Sequence, residues 1–445
     1  MEKEITLEDI ASFQRKLAND QKAKTARRAV NQNGIKASAV DPEVQRNLIP
    51  VFSDEVKTGS VLNQRHSGRC WMFAGTNVIR EIIAEKLNVE DLELSEAYLQ
   101  FYDRLEKANF FLERAIEGAH DPYDSRLNRY NLSAAVSDGG HFAFFVNLVR
   151  KYGVLPYQAM PDLSVSKSTD DLNAVLLELY ATFLARIHAM AEQGWEIERM
   201  REAKKDMLLS VYRVLSIALG EPPHKFAFEY QDKDKKFHRL PALTGQEFFA
   251  KYVEDGLEQY VCLSNSEMIG YDMGVKYASR YVNNVEGDDP VSFFDVPVNE
   301  LKKAVIASIQ GGEPVWFAAD VTAQSLRKEG QLGEGLLRYD ELFGIDLSLS
   351  KGEKLSYGST MCNHAMSFTG VNLVHKKPNR WKVENSWGDE VGKKGYFVMD
   401  DAWFDSYVYE VFVERKYVDP AILKQMDESK TVYVEPWSNM WAELD

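Results

Sequence analysis

Cysteine is scarce: Cys70, Cys262 and Cys362 are the only three in 445 residues. Three thiols cannot make a disulfide framework, so the chain reads as a reduced, cytoplasmic protein in which a thiol can stay reactive. Base is short against acid, with 53 Lys and Arg facing 68 Asp and Glu for a net charge of −15. Phosphate binding needs clustered cations, so a nucleic-acid partner is not expected. The run Lys233-Asp234-Lys235-Lys236 is broken by an acid and suits a solvated turn. No window reaches the ~18 consecutive apolar residues of a membrane span. The opening Met1-Glu2-Lys3-Glu4-Ile5 carries no apolar core, so no signal peptide is expected. Neither His-Glu-x-x-His nor Cys-x-x-Cys occurs, so no metal and no cofactor is expected. Internal repeats and low-complexity tracts are also missing.

What is there is globular. Apolar residues make up 45% of the chain and aromatics 12%, enough for a large core or for one domain with a big insertion. Residues 6–23 predict an amphipathic N-terminal helix, and 24–60 an irregular segment with a turn at Asn33-Gly34. Phe73, Ile79, Ile82, Ile83 and Leu87 fall at helical spacing behind Cys70, and Ser95 is placed to cap a further helix. Between about 155 and 295 the pattern is mostly helical, with one long helix from Ser168 or Thr169 to Glu192 and another from Glu196 to Leu219. Gly194 and Gly220 punctuate them. Strand-like runs follow at Pro314–Phe317, Met366–Val374, Trp381–Glu384, Tyr396–Met399 and Tyr407–Val418. Helices first and an antiparallel sheet later predict an α+β fold.

Three short runs carry chemistry. In Gln64-Arg65-His66-Ser67-Gly68-Arg69-Cys70-Trp71 a thiol opens a helix, where the macrodipole and unpaired N–H groups favour the thiolate. The glutamine six residues earlier can aim its NH₂ at the oxygen of a carbonyl under attack. Asn363-His364-Ala365 supplies an imidazole to shuttle the proton. Asn385-Ser386-Trp387-Gly388 supplies an amide to orient that imidazole, with Trp387 as a shield. A lone histidine is more often a surface residue, and Asn-Ser-Trp-Gly alone reads as a turn. Their joint order makes coincidence a poor account. His66 reads as a surface residue, Cys262 as core, and Cys362 as a buried strand residue beside the site.

With these runs, and with Ser137-Asp138-Gly139-Gly140-His141 between them, the chain resembles the papain superfamily of cysteine peptidases. Two departures point to one branch. Ser67 and Arg69 stand where the secreted enzymes have Cys and Ser or Ala, which removes a disulfide partner. Cys70 and His364 lie 364 − 70 = 294 residues apart, against roughly 130–150 in the secreted enzymes. The helical block accounts for most of that excess. These traits are similar to the bleomycin hydrolase and bacterial aminopeptidase C branch.

That resemblance implies a papain-like α+β fold with a large, mostly helical insertion and a C-terminal tail docked in the cleft. Its parts would be an N-terminal helix and hook (1–60), a helical part with the nucleophile (61–155), the insertion (156–295), a β-rich part with His and Asn (296–430) and the tail (431–445). It implies Cys70, His364, Asn385 and Gln64 as catalytic residues, Gly139 and Gly140 as the edge that pairs with an extended peptide, and Asp445 as the terminal carboxylate that meets the substrate's amino end. It also implies a homo-oligomer, a hexamer enclosing its active sites, acting on short peptides as an aminopeptidase. In the tail, Trp437-Ser438-Asn439-Met440-Trp441-Ala442-Glu443 carries Asn439 and Trp441 where the branch pattern Trp-Asp-Pro-Met-Gly-Ala-Leu has Pro and Gly. A rerouted tail would give an oligo-endopeptidase, the alternative reading. An acyltransferase and a non-catalytic scaffold are the remaining ones.

Overall fold

The computed structural model describes residues 4–253 and 256–441. Asp445 and the three residues before it lie outside the described residues. Ten helices occupy the first half: α1 (Leu7–Ala18), α2 (Gln21–Asn33), α3 (Ile35–Ala39), α4 (Pro42–Asn47), α5 (Cys70–Leu87), α6 (Glu96–Glu117), α7 (Arg126–Val136), α8 (Phe142–Tyr152), α9 (Asp170–Glu192) and α10 (Ile197–Leu219). The second half builds most of a twelve-stranded sheet. Across its centre run Tyr260–Ser264, Val408–Glu414, Val315–Ala319, His364–Val374, Lys377–Glu384 and Tyr396–Asp400, antiparallel neighbour to neighbour. The result is the α+β, papain-like arrangement.

Alternation along the strands divides the core. In Val315–Ala319, Trp316 and Ala318 face the helical half, while Val315, Phe317 and Ala319 face a second core under the helices Val298–Gln310 and Asp401–Tyr407. On the first face Ala318 and Ala365 are small enough to let α5 lie close against the sheet. Almost every residue of α5 through Arg80 is buried, so it is a core helix rather than an amphipathic surface one.

The N-terminus differs from its expectation. A single helix over 6–23 becomes α1 and α2, broken because the Asp20 carboxylate accepts from Ala23 N at 2.9 Å and starts a new N-terminus. The segment expected to be irregular holds most of α2 and all of α3 and α4. No residue of α2 is buried, so it has no apolar stripe to read, and its Lys, Ala, Arg and Gln residues form helix by propensity. Gly34, at φ +83°, ends it as the turn signal implied.

In the middle block, α9 and α10 form as expected, with Gly194 at φ +73° and Gly220 at φ +82° beyond their ends. The same block also contributes a hairpin, Phe226–Gln231 with Phe237–Leu243, and the strands Tyr260–Ser264, Lys276–Ala278 and Ser292–Asp295 of the main sheet. Cys262 is therefore a strand residue. By length and hydropathy α9 could cross a membrane. Here it buries one stripe, Leu172, Leu176, Tyr180, Phe183, Ile187 and Ala191, in the helical core.

Glu96, in the first turn of α6, is buried and accepts from the Thr76 hydroxyl at 2.6 Å. Burial pushes its pKa up to about 8, the hydrogen bond from Thr76 opposing. Unfolded Glu96 ionises near 4.5 while folded Glu96 keeps its proton, so this group costs stability as pH rises from 4.5 to 8. Glu96→Gln is expected to gain on the wild type across that window by on the order of a few kcal/mol. Urea midpoints at pH 5 and pH 8 measure the gap, and a gap that does not widen contradicts the burial argument.

Candidate active site

Cys70 begins α5, and Arg69 at the N-cap makes no side-chain capping bond to the first turn. The thiol therefore meets the amide-rich end of a long helix. Its Sγ accepts from Ala365 N at 3.5 Å, which seats it against the backbone of the residue after His364. His364 opens the strand His364–Val374 and is 2% exposed. Its Nε2 lies 2.8 Å from Asn385 Oδ1. That oxygen also accepts from Ser386 N at 2.7 Å, so it is an acceptor and the imidazole donates through Nε2. The other ring nitrogen of neutral His364 is then left with the lone pair a base requires. Burial lowers the His364 pKa to about 4, against the Asn385 hydrogen bond that favours the charged ring. The Trp387 ring sits 4.8 Å from the imidazole and covers this pair.

Gln64 is held from three sides. Its backbone N donates to Ser386 O at 2.8 Å, its Oε1 accepts from Ser386 Oγ at 2.6 Å, and its Nε2 donates to Ser67 O at 2.6 Å. With the carbonyl end anchored, the amide end faces the nucleophile loop and keeps a second hydrogen to donate. The two departures from the papain signature act on this loop. Ser67 Oγ donates to Gln64 O at 2.6 Å and accepts from Arg69 Nε at 2.9 Å. Arg69 itself grips Asp162 with both terminal nitrogens, at 2.9 and 3.2 Å. A polar brace thus stands where the secreted enzymes have a cysteine.

Gly139 and Gly140 lie beside the nucleophile helix. A Cβ on Gly140 would come within 2.6 Å of the Trp71 indole, so close packing alone requires glycine there. Both glycines line a pocket with His141, Phe110, Phe144 and Trp441. Trp441 belongs to the tail, which is docked rather than loose. Thr431–Tyr433 pairs parallel to Lys276–Ala278, Asn439 Nδ2 donates to Leu355 O at 2.6 Å, and Met440 and Trp441 are buried. The Trp441 ring packs 5.1 Å from Phe293 and 6.1 Å from His141. Burial drives the pKa of the other two thiols, Cys262 and Cys362, well above the usual value, Glu410 adding to it, which disfavours their thiolates. His66 is exposed at the loop surface.

Sequence reasoning missed the ties between these runs. Arg80 of α5 and Glu384, next to Asn385, form a buried ion pair at 2.9 Å. An arginine beside Ile79 on a helix that is buried nearly all round was the available signal, but nothing named its partner. Ser386, Asp138 and Asp162 were equally unreadable.

The Peptidase C1-like family profile matches residues 4–441. The chain is 37% identical to aminopeptidase C of Listeria innocua over 440 residues, covering 99% of each. It is 35% identical to human bleomycin hydrolase over 390 residues, covering 86% of each. The crystal structure of pepw from Lactobacillus rhamnosis superposes with a TM-score of 0.96 at 37% identity, over the whole of both chains.

The depressed His364 pKa gives a direct check. A ring neutral in the folded state contributes stability that is full above 6.5 and lost as pH falls toward 4. In Cys70→Ser, where no thiolate forms, carbon NMR of His364 is expected to titrate near 4. A midpoint at or above 6.5 would show that the ring is not held dry.

Proposed function

Because this chain belongs to the Peptidase C1-like family, we propose that Cys70, His364, Asn385 and Gln64 are its catalytic residues. It is a papain-like, cysteine-type peptidase of aminopeptidase type, as full-length relatives indicate. The observation that carries the assignment is the meeting of Cys70 Sγ with the Ala365 amide, beside an imidazole fixed by Asn385.

The geometry supports these steps. His364 takes the thiol proton and the Cys70 thiolate attacks the peptide carbonyl. The second Nε2 hydrogen of Gln64 and the Cys70 backbone N–H bind the oxygen as it gains charge. His364 protonates the leaving amine, which departs, and then draws a proton from water to hydrolyse the acyl-enzyme. Asn385 keeps the ring in one orientation throughout.

Gly139 and Gly140 present the edge along which the substrate backbone lies. The buried tail supports exopeptidase action over the endopeptidase alternative, because Trp441 stands beside that edge, where further upstream residues would need to lie. Asp445 completes the gate in this reading. Cys70→Ser is expected to lower turnover of a free-amino dipeptide amide by at least about 10³-fold with the fold intact. The wild type is expected to spare the N-acetylated twin, and a variant ending at Pro436 to cleave it. Peptidase activity retained in Cys70→Ser would refute the nucleophile, and a truncation without effect on the blocked peptide would refute the gate.

The protein acts in the cytoplasm, which the absence of a disulfide among the described residues supports. It also self-associates. α1 buries nothing in the single chain and exposes Ile10, Phe13 and Leu17 on one face. The count of six subunits comes from the family resemblance. Phe13→Glu is expected to reduce the assembly measured by sedimentation; an unchanged mass would remove α1 from the interface.

A further inference from the structure

The nucleophile loop and the glycine edge come from different parts of the chain, yet one residue links them: Asp138 adjoins the edge in the chain and its carboxylate binds the loop. Asp138, 7% exposed, precedes Gly139. Its Oδ2 accepts from Gly68 N, two residues before Cys70, at 3.2 Å. The same oxygen accepts from the Thr169 hydroxyl, and the carboxylate pairs with Arg104. The Asp138 backbone carbonyl accepts from Trp71 Nε1 at 2.8 Å, directly behind the nucleophile.

The surroundings stiffen this point. Arg104, in α6, also donates to the carbonyls of Val136 and Ser137, at 2.7 and 2.8 Å. Lys107, one turn on, is paired with Asp103 and donates to Ser137 O and Gly139 O, at 3.0 and 2.6 Å. Thr169 precedes α9 but does not cap it; its hydroxyl is given to Asp138 instead. A helix gives up the usual use of its N-cap side chain, and two buried cations of a second helix hold the carbonyls of 136–139.

We propose that Asp138 is a positioning residue for peptide hydrolysis: it sets the spacing between the Cys70 loop and the Gly139-Gly140 edge by holding the Gly68 amide of that loop from the residue that adjoins the edge. The inference rests on the roles given above to Cys70 and to the glycine edge. A carboxylate suits the task because it accepts from several donors in fixed directions while offsetting the charge of Arg104. The clasp does for two loops what a covalent tie would do, in a chain with no disulfide among the described residues. Misplacement by about 1 Å between a nucleophile and its bound substrate is enough to cost about 10² in rate.

The test separates spacing from both folding and thiol chemistry. In Asp138→Asn the side chain keeps its size and one acceptor but loses the ion pair. Its kcat/KM on an aminoacyl arylamide is expected to fall by about 10²-fold, with a rise in KM contributing. Iodoacetamide needs no substrate edge, so its alkylation of Cys70 is expected to stay within about threefold of wild type. Thr169→Val, which removes a single contact and no charge, is expected to raise KM by about twofold to fivefold at an unchanged thermal midpoint, and it serves if Asp138→Asn does not fold. The proposal is overturned if folded Asp138→Asn keeps kcat/KM within about twofold, if alkylation and hydrolysis fall together, or if Thr169→Val leaves KM unchanged. Failure of the underlying assignment looks different: wild-type hydrolysis would then survive complete alkylation of Cys70.

Discussion

Arg80 and Glu384 meet where water is excluded, one on the nucleophile helix and the other beside the asparagine that orients the imidazole. Burial pushes the Glu384 pKa up and Arg80 draws it back, so the carboxylate is stable only with its partner present. Removing one member of such a pair costs about 3–5 kcal/mol, because the other charge is left buried alone. This contact fixes α5 against the strand Lys377–Glu384, and most of the catalytic geometry depends on that docking. Ser386 then reaches Gln64, Asn385 reaches His364, and the Ala365 amide reaches the thiol. Each of these bonds is short-ranged and directional, so none would survive a slip of the helix along the sheet.

The same logic explains the small residues around the site. Ala318 and Ala365 floor the helix, and Gly140 lies under the Trp71 indole. Glycine at 140 was read as room for a substrate backbone, and packing against Trp71 is a second, sufficient reason for it. Side-chain volume is removed wherever two elements must approach to bring the nucleophile, the base and the edge together.

Much of the fold was legible because its signals are local. The start of α5 at Cys70, the cap at Ser95, the glycines after α9 and α10 and the main strands all follow from periodicity and turn chemistry. Beyond α1 the N-terminal helices were not, since α2 has no buried face and so no pattern. Strands Tyr260–Ser264 and Ser292–Asp295 hid inside a helical stretch, because the partners that make them strands lie more than a hundred residues away, at Val408–Glu414, or at each other. At the site, residue types and order were readable, whereas the bonds joining them were not.

The sequence by itself determined which side chains the proposed chemistry draws on: a thiol at a helix start, a glutamine six residues before it, and an imidazole and an amide in a fixed order downstream. Those assignments depend only on which side chains can attack, shuttle a proton or donate to an oxyanion. Tertiary structure alone decided the spacing. It buried Met440 and Trp441 of the tail, with Trp441 beside Gly139 and Gly140, made Ser386 the anchor of Gln64, and brought the Asp138 carboxylate to the Gly68 amide. These are contacts between segments up to 322 residues apart. No local rule of propensity or periodicity carries such pairings, because only packing of the whole chain brings the partners within hydrogen-bond distance.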